Sequence, residues 1–406
     1  MGGPSSGVAR GGVVAASARA NLARRAAALA PLAVVGAVLL VSARVFYAGR
    51  HYTGLIGFAE LGATFARHLG LQGLAGSLTG YDGQFAYYVA RQPSIVFTCA
   101  TNTATCPLDL PSLRAQRILY PLLARLVALG QPSWIPFALL LVNFVAVLAV
   151  AALVSAICVE LGATRWWGAA AGLFTGEVLA FARDLNDPLG VLWAVLALYL
   201  LRKQRPLWAA AAAGAALLTR EQLILFVPLL ALPLLAERRW RTLALAAAIT
   251  LLPFVVWQIV LHAVYHQWAF FASTDSAALM PLPFAGLWQQ RFNPEFAAVV
   301  ATAALPVALE IVAGALALRQ VGARGMFADP VPLLALSYGL ISSLMSAVLW
   351  INVWAPARLA APGVIFGIFA LCRLKPPLRR PLGLVYALAL VSAAAVLTMV
   401  ACLQLV

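Results

Sequence analysis

Apolar runs of about 20 residues recur along the whole chain, and each is long enough for one helix to cross a bilayer. Inside hydrocarbon, every backbone N–H and C=O must find its partner within the protein, so only helices or closed barrels can span. The runs are rich in Leu, Ala and Val and lack the period-2 alternation of a membrane strand. With 63% hydrophobic and 10% charged residues over 406 positions, the chain is predicted to be an all-α polytopic membrane protein.

A formal net charge of +15 would suggest nucleic acid in a soluble protein. Here the basic residues sit in short clusters between apolar runs, so they are read as orientation signals and no nucleic-acid partner is expected. About eleven spanning helices are predicted, near 26–46, 134–158, 166–183, 187–202, 206–220, 222–236, 242–264, 296–318, 331–350, 358–373 and 381–403. With the N-terminus in the cytoplasm, Arg165, "RKQR" at 202–205, "ERRWR" at 237–241, Arg319 with Arg324, and "CRLKPPLRR" at 372–380 all fall inside. Residues 1–25, with four arginines, read as a disordered basic cytoplasmic tail ahead of an uncleaved first helix, and 26–406 as a single transmembrane domain. This topology requires "RILYPLLARLVALG", 117–130, to lie on the outer surface with its arginines reaching the headgroups, because it is short and carries Arg125 and Pro121. The first extracytoplasmic loop then runs from 47 to 133 and is partly helical.

Cys99 and Cys106, seven positions apart in the turn-rich "FTCATNTATCPLD" of that loop, are expected to form a disulfide in an oxidising compartment. Cys158, Cys372 and Cys402 read as packing residues.

On this topology the acids Glu60, Asp82, Asp109, Asp184, Asp187, Glu221, Asp275 and Glu295 lie on or near the outer face. Glu177 precedes Asp184 by two helical turns, which would place both on one helix face about 10 Å apart. An acid at that depth is a functional candidate. Asp187, before Pro188, could alternatively cap the next helix, and Thr219 could cap the one that carries Arg220 and Glu221. Arg117, Arg220, Arg291 and Arg358 also fall on this face. A guanidinium is always charged and donates in a fork, which suits it to gripping phosphate.

The polar, aromatic island "LTGYDGQFAYYVARQP" at 78–93 places Asp82 between Tyr81 and Gly83. Gly80 and Gly83 allow a tight turn that presents the carboxylate, and the surrounding rings suit a membrane interface or a sugar face.

"GYDGQFAYYVA", followed by "RAQRILYPLLARLVALG", "ARDLNDPLG" and "ALLTREQLILFVPLL", resembles a group of bacterial multi-span proteins with a GYDGQF-type loop in the GT-C glycosyltransferase superfamily. The resemblance runs from the first helix to about residue 240, and its first two motifs carry most of it. It implies a GT-C-like fold and an enzyme of the bacterial cytoplasmic membrane. Such an enzyme transfers a sugar from a polyprenyl-phosphate donor to a glycan or glycolipid acceptor at the outer face. Asp82 matches the acid that serves as, or orients, the catalytic base. Many members carry paired acids there, whereas Gly83 follows Asp82 in this chain. Asp184 or Asp187 would be the second acid. Tyr81, Gln84, Arg117, Tyr120, Glu177, Arg220, Glu221, Arg291 and Arg358 are the candidate substrate-binding residues. Asp82 with Asp184 or Asp187 offers oxygen ligands to a divalent cation such as Mg2+ or Mn2+, while no His/Cys spacing suggests zinc. A single outward cavity roofed by the loop is expected of such an enzyme. The alternative reading is a lipid-linked saccharide transporter, for which Glu310 inside an apolar run is the residue that argues.

Overall fold

The structure, a computed structural model, describes residues 28–47, 54–272, 279–292 and 294–403. The basic tail 1–25 and Asp275 lie outside the described residues, as does the side chain of Cys402. The described chain is helical throughout, with one isolated bridge between Gly62 and Ser77 and no strand.

The principal helices are α1 (Ala28–Tyr47), α2 (Gly83–Arg91), α3 (Leu119–Val127), α4 (Ile135–Glu160), α5 (Trp166–Gly172), α6 (Thr175–Phe181) and α7 (Asp187–Arg202). They continue with α8 (Pro206–Thr219), α9 (Val227–Ala236), α10 (Trp240–Tyr265), α11 (Leu305–Ala328), α12 (Val331–Ser343), α13 (Trp354–Arg373) and α14 (Pro376–Leu403). Among the described residues five segments are long and apolar enough to cross a membrane: Ala28–Tyr47, Pro132–Glu160, Trp240–Tyr265, Glu295–Gly322 and Trp354–Arg373. Shorter apolar helices accompany them at Pro206–Thr219, Glu221–Ala236 and Val331–Ser343. The chain is a multi-pass helical membrane protein.

Three predicted spans are interrupted in the structure, one of them 222–236, which begins as a 3-10 helix over Glu221–Phe226 before α9. The 166–183 segment divides into α5 and α6, because the backbone extends at Phe174 (ψ 137°) and buries that ring completely. The 331–350 segment stops as a helix at Ser343 and turns before α13 begins. The 117–130 segment forms only the nine-residue α3, about 14 Å long and too short to span. Its arginines do not reach outward as expected. Arg125 Nη1 donates to the carbonyls of Ala90 and Arg91 at 3.0 and 2.9 Å, filling the acceptors left open at the end of α2.

The bundle core is built from α4, α7, α8, α11, α12 and α13, with Val154, Val195, Ala213, Leu334, Val364 and Phe366 among its buried side chains. Lipid is as apolar as a leucine, so helices in hydrocarbon associate through close packing and internal hydrogen bonds. The alanine-rich α8 supplies both, its Ala210 carbonyl accepting from Thr250 Oγ1 of α10 at 3.0 Å.

Residues 54–130 form a second cluster, which rests on the start of α4 and the end of α10 and buries Tyr88, Val96, Tyr120, Leu139 and Leu261. Polar contacts fasten it there. Trp257 Nε1 donates to the Ala115 carbonyl at 3.1 Å, Gln267 Nε2 to Ser112 Oγ at 2.8 Å, and the Tyr265 hydroxyl to the Val96 carbonyl. A disulfide joins Cys99 to Cys106 within this segment. The loop is thereby held as a cap over one end of the bundle.

Candidate functional site

Gly80 adopts a left-handed backbone, φ 70°, which costs glycine little. Gly83 serves a different purpose: a Cβ there would stand 2.1 Å from the carbonyl oxygen of Arg183. The start of α2 therefore lies directly on the turn between α6 and α7. Gln84 is buried and spent on this architecture. Its Oε1 accepts from the Gly62 N–H at 2.9 Å and its Nε2 donates to the Thr79 carbonyl at 2.9 Å. Between these two anchors, the Asp82 carboxylate projects into a cavity.

Asp82 Oδ1 pairs with Arg114 Nη2 at 3.0 Å, and Oδ2 accepts from Arg358 Nη2 at 2.7 Å. Arg358, in the first turns of α13, also stands 3.9 Å from Asp187 Oδ2. Asp187 Oδ1 pairs with Arg220 Nη1 at 2.9 Å. The result is a chain of alternating charges drawn from the loop, α13, α7 and the end of α8. Beside it, Arg117 grips Glu221 in a fork, Nε to Oε2 at 2.9 Å and Nη2 to Oε1 at 2.5 Å. Two local roles considered for these residues do not occur. Asp187 spends no side-chain bond on capping α7, and Thr219 ends α8, its hydroxyl donating to the Ala215 carbonyl at 2.8 Å.

These groups, Asp187 excepted, line a cavity of about 530 Å³. Asp82, Arg114, Arg117, Arg220 and Arg358 form its charged wall, and Ile224, Leu225, Phe270, Met345 and Leu349 form an apolar one. Asp82 and Glu221 are the acids of the lining. Asp187 stands behind it on Arg220 and Arg358, and Asp109 holds Arg114 in a fork at 2.8 Å, so the four guanidinium groups are matched by four carboxylates. Ligand pockets of this size combine an apolar lining with a few convergent polar groups.

Asp184 lies under the loop. It occupies the left-handed position that closes the end of α6, with φ 49° and the Leu185 N–H bonded back to the Ala180 carbonyl at 3.0 Å, a place glycine usually takes. Its carboxyl is fully buried and has no hydrogen-bond partner among the described residues. With Asp82, Arg117 and Tyr120 it lines a small space of about 30 Å³. Tyr120, fully buried, accepts from Asn143 Nδ2 at 2.8 Å and donates to the Leu139 carbonyl at 3.2 Å. The expected common helix face for Glu177 and Asp184 is absent, because α6 ends at Phe181 between them. Glu177 is fully buried and lines neither cavity.

Tyr81 receives the Arg183 guanidinium on its ring at 4.3 Å, and the Trp354 ring covers the same group at 3.6 Å. Arg183 is also paired with Glu60 at 3.1 Å. Arg291 is exposed and lines neither cavity. The structure thus gathers Asp82, Asp187, Arg117, Arg220, Glu221 and Arg358, places Asp184 and Tyr120 beneath them and Tyr81 beside them, and leaves Arg291, Glu177 and Gln84 outside the main cavity. Arg114 was not foreseen. The signal was available: in "PSLRAQR" it precedes Arg117 by three positions, the spacing of neighbours on one helical face. Among the described residues no group of three or more His, Cys, Asp or Glu side chains gathers as a metal site, and both Asp82 oxygens are engaged by arginine.

Burial alone would raise the Asp82 carboxyl, but the charges of Arg358 and Arg114 outweigh it and hold the acid far below its ordinary value of 3.8. A depressed folded-state value stabilises the docked loop wherever the undocked carboxyl would already be ionised. This contribution is complete above pH ~4 and fades only as the pH falls further. Asp184 has the opposite sign, since burial pushes its carboxyl well above the usual range; its share is present in acid and is lost as the pH rises through the folded value. The stability difference between wild type and Asp82→Asn is therefore expected to be constant from about pH 5 to 8 and to shrink below about pH 4. Thermal unfolding in detergent across that range measures it.

No protein-family model, curated protein or solved structure matches the chain. What fold and site define is a multi-pass helical membrane protein with a capped, arginine-rich cavity at one end of its bundle.

Proposed function

We propose that the chain is a GT-C-type glycosyltransferase of the bacterial cytoplasmic membrane, with the loop-capped cavity on its extracytoplasmic side. One observation carries this reading: Asp82, Glu221 and four arginines share a cavity with an apolar wall. A polyprenyl-phosphate sugar needs that combination. Its phosphate meets guanidinium forks, its first isoprene units meet Ile224, Leu225 and Phe270, and its anomeric carbon comes to lie near Asp82.

In the reaction, an acceptor hydroxyl oxygen bonds to the anomeric carbon, and the carbon–oxygen bond to phosphate breaks. The bonding pair leaves with the polyprenyl phosphate, and the hydroxyl proton passes to Asp82. A carboxylate held by two arginines is a weak base. The donor phosphate competes for those same guanidiniums, so its arrival withdraws positive charge from Asp82 and raises its proton affinity where the base is needed. Arg358 and Arg114 then stabilise the charge that develops on the leaving phosphate.

A second reading, transport of a lipid-linked saccharide, is favoured by Glu310, which is fully buried in α11 with neither carboxyl oxygen hydrogen-bonded among the described residues. The two are separated by incubating the purified protein with radiolabelled polyprenyl-phosphate sugars and a glycan or glycolipid acceptor. Label moving to the acceptor is expected. Failure with every donor, together with translocation of the labelled lipid across reconstituted vesicles, would establish transport instead.

A further inference from the structure

The far end of α13 leads to a second cavity. Arg358 belongs to the loop-end site, and Arg373 closes the helix fifteen positions later, about 22 Å along its axis. There Arg373 joins Arg202 at the end of α7 and Arg239 ahead of α10 around a cavity of about 350 Å³. Two acids, Glu237 and Asp329, share the lining, and Glu160 with Lys203 stands just outside it, so four cations against three carboxylates leave one positive charge; Arg239 pairs with the half-exposed Glu237 at 3.3 Å. Arg373 is committed to Asp329 at 2.5 Å. Arg202 is less committed: its partner Glu160, at 3.3 Å, stands outside the lining and also holds Lys203 at 2.5 Å. Arg202 Nε is buried and donates to nothing among the described residues.

This basic cavity does not end in solvent alone. Leu201, Pro206 and Leu234 line it and also line an adjoining groove of about 380 Å³ between α8, α9 and α10. That groove is walled by Ala209, Ala213, Leu230, Ala246 and Leu251, and its one polar side chain, Thr250, has already spent its hydroxyl on Ala210. A phosphate-sized positive site that opens into a hydrocarbon-lined groove among membrane helices matches one ligand chemistry: an anionic headgroup with an acyl chain attached. We infer that an anionic phospholipid binds here, its phosphate between Arg202 and Arg239 and one chain in the alanine-lined groove. This site lies at the opposite end of α13 from Asp82 and stands whatever reaction the loop end performs.

Native mass spectrometry of the purified full-length chain, titrated separately with phosphatidylglycerol, phosphatidylcholine and inorganic phosphate, tests the assignment. Phosphatidylglycerol is expected to bind at least tenfold more tightly than phosphatidylcholine. The double variant Arg202→Gln/Arg239→Gln should lose most of that preference, about fivefold per arginine. Neither change strands an acid, because Glu160 keeps Lys203 and Glu237 is half exposed; matching melting temperatures without lipid confirm the fold. Ala246→Phe keeps all three arginines, fills the groove and should weaken phosphatidylglycerol binding. Equal affinity for the two lipids, or an Ala246→Phe variant that binds as well as wild type, overturns the proposal. So does displacement of phosphatidylglycerol by equimolar inorganic phosphate, which would mark a site for the free ion.

Discussion

Asp82→Asn is expected to lower the turnover of sugar transfer by roughly 10²–10⁴-fold, the range for removing a general base. The substitution preserves shape but removes proton acceptance and the negative charge that occupies Arg114 and Arg358. Arg358, 2.7 Å from the carboxylate in the wild type, becomes more available to the donor phosphate, while Arg114 stays forked on Asp109. KM for the lipid donor should therefore stay level or fall while kcat collapses. A purely structural role for Asp82 would instead raise KM and lower thermal stability without singling out kcat. Steady-state kinetics with a fixed acceptor and varied donor distinguish the two, and an unchanged kcat removes Asp82 from the chemistry.

Gly83→Ala should be as damaging by another route. The added methyl carbon would sit 2.1 Å from the Arg183 carbonyl oxygen and 3.3 Å from that of Ala59. Both are backbone atoms, so no rotamer change relieves the contact; α2 must lift from the α6–α7 turn and take Asp82 with it. A displacement of about 1 Å at a reacting group is enough to lose on the order of 10² in rate. Activity should fall at least that far, and the melting temperature should drop as the cap loosens. Gly73→Ala in the same loop, where no heavy atom lies within 4 Å, should change neither. Full activity in Gly83→Ala would mean that α2 need not rest on the α6–α7 turn for Asp82 to work.

Several features of the site follow from short-range pattern. The GYDGQF island announces a turn that carries an acid, because aspartate between tyrosine and glycine has no place inside a spanning helix. The brevity of α3 is legible from Pro121 and Arg125 in so short a run. Other features could not be read locally. Gln84 sits in the motif like a ligand-binding side chain, yet it closes the turn against Gly62 across 22 positions. Glu177 and Asp184 have helical spacing, but α6 ends at Phe181 and Asp184 turns left-handed, so no helix joins them. Arg291 shares the expected outer face with Arg220 and Arg358, and the placement of its segment leaves it exposed and away from the cavity.

Hydropathy and charge clusters by themselves determined that this chain is helical, crosses a membrane many times and carries most of its acids and arginines near helix ends, because those properties depend on transfer free energies and hydrogen-bond satisfaction within single segments. Tertiary structure alone decided which charges meet. Arg358 reaches Asp82 across 276 positions, and Arg117 reaches Glu221 across 104. An ion pair in a low-dielectric cavity forms between whatever groups the packed helices bring within a few ångströms, and separation along the chain does not enter that energy.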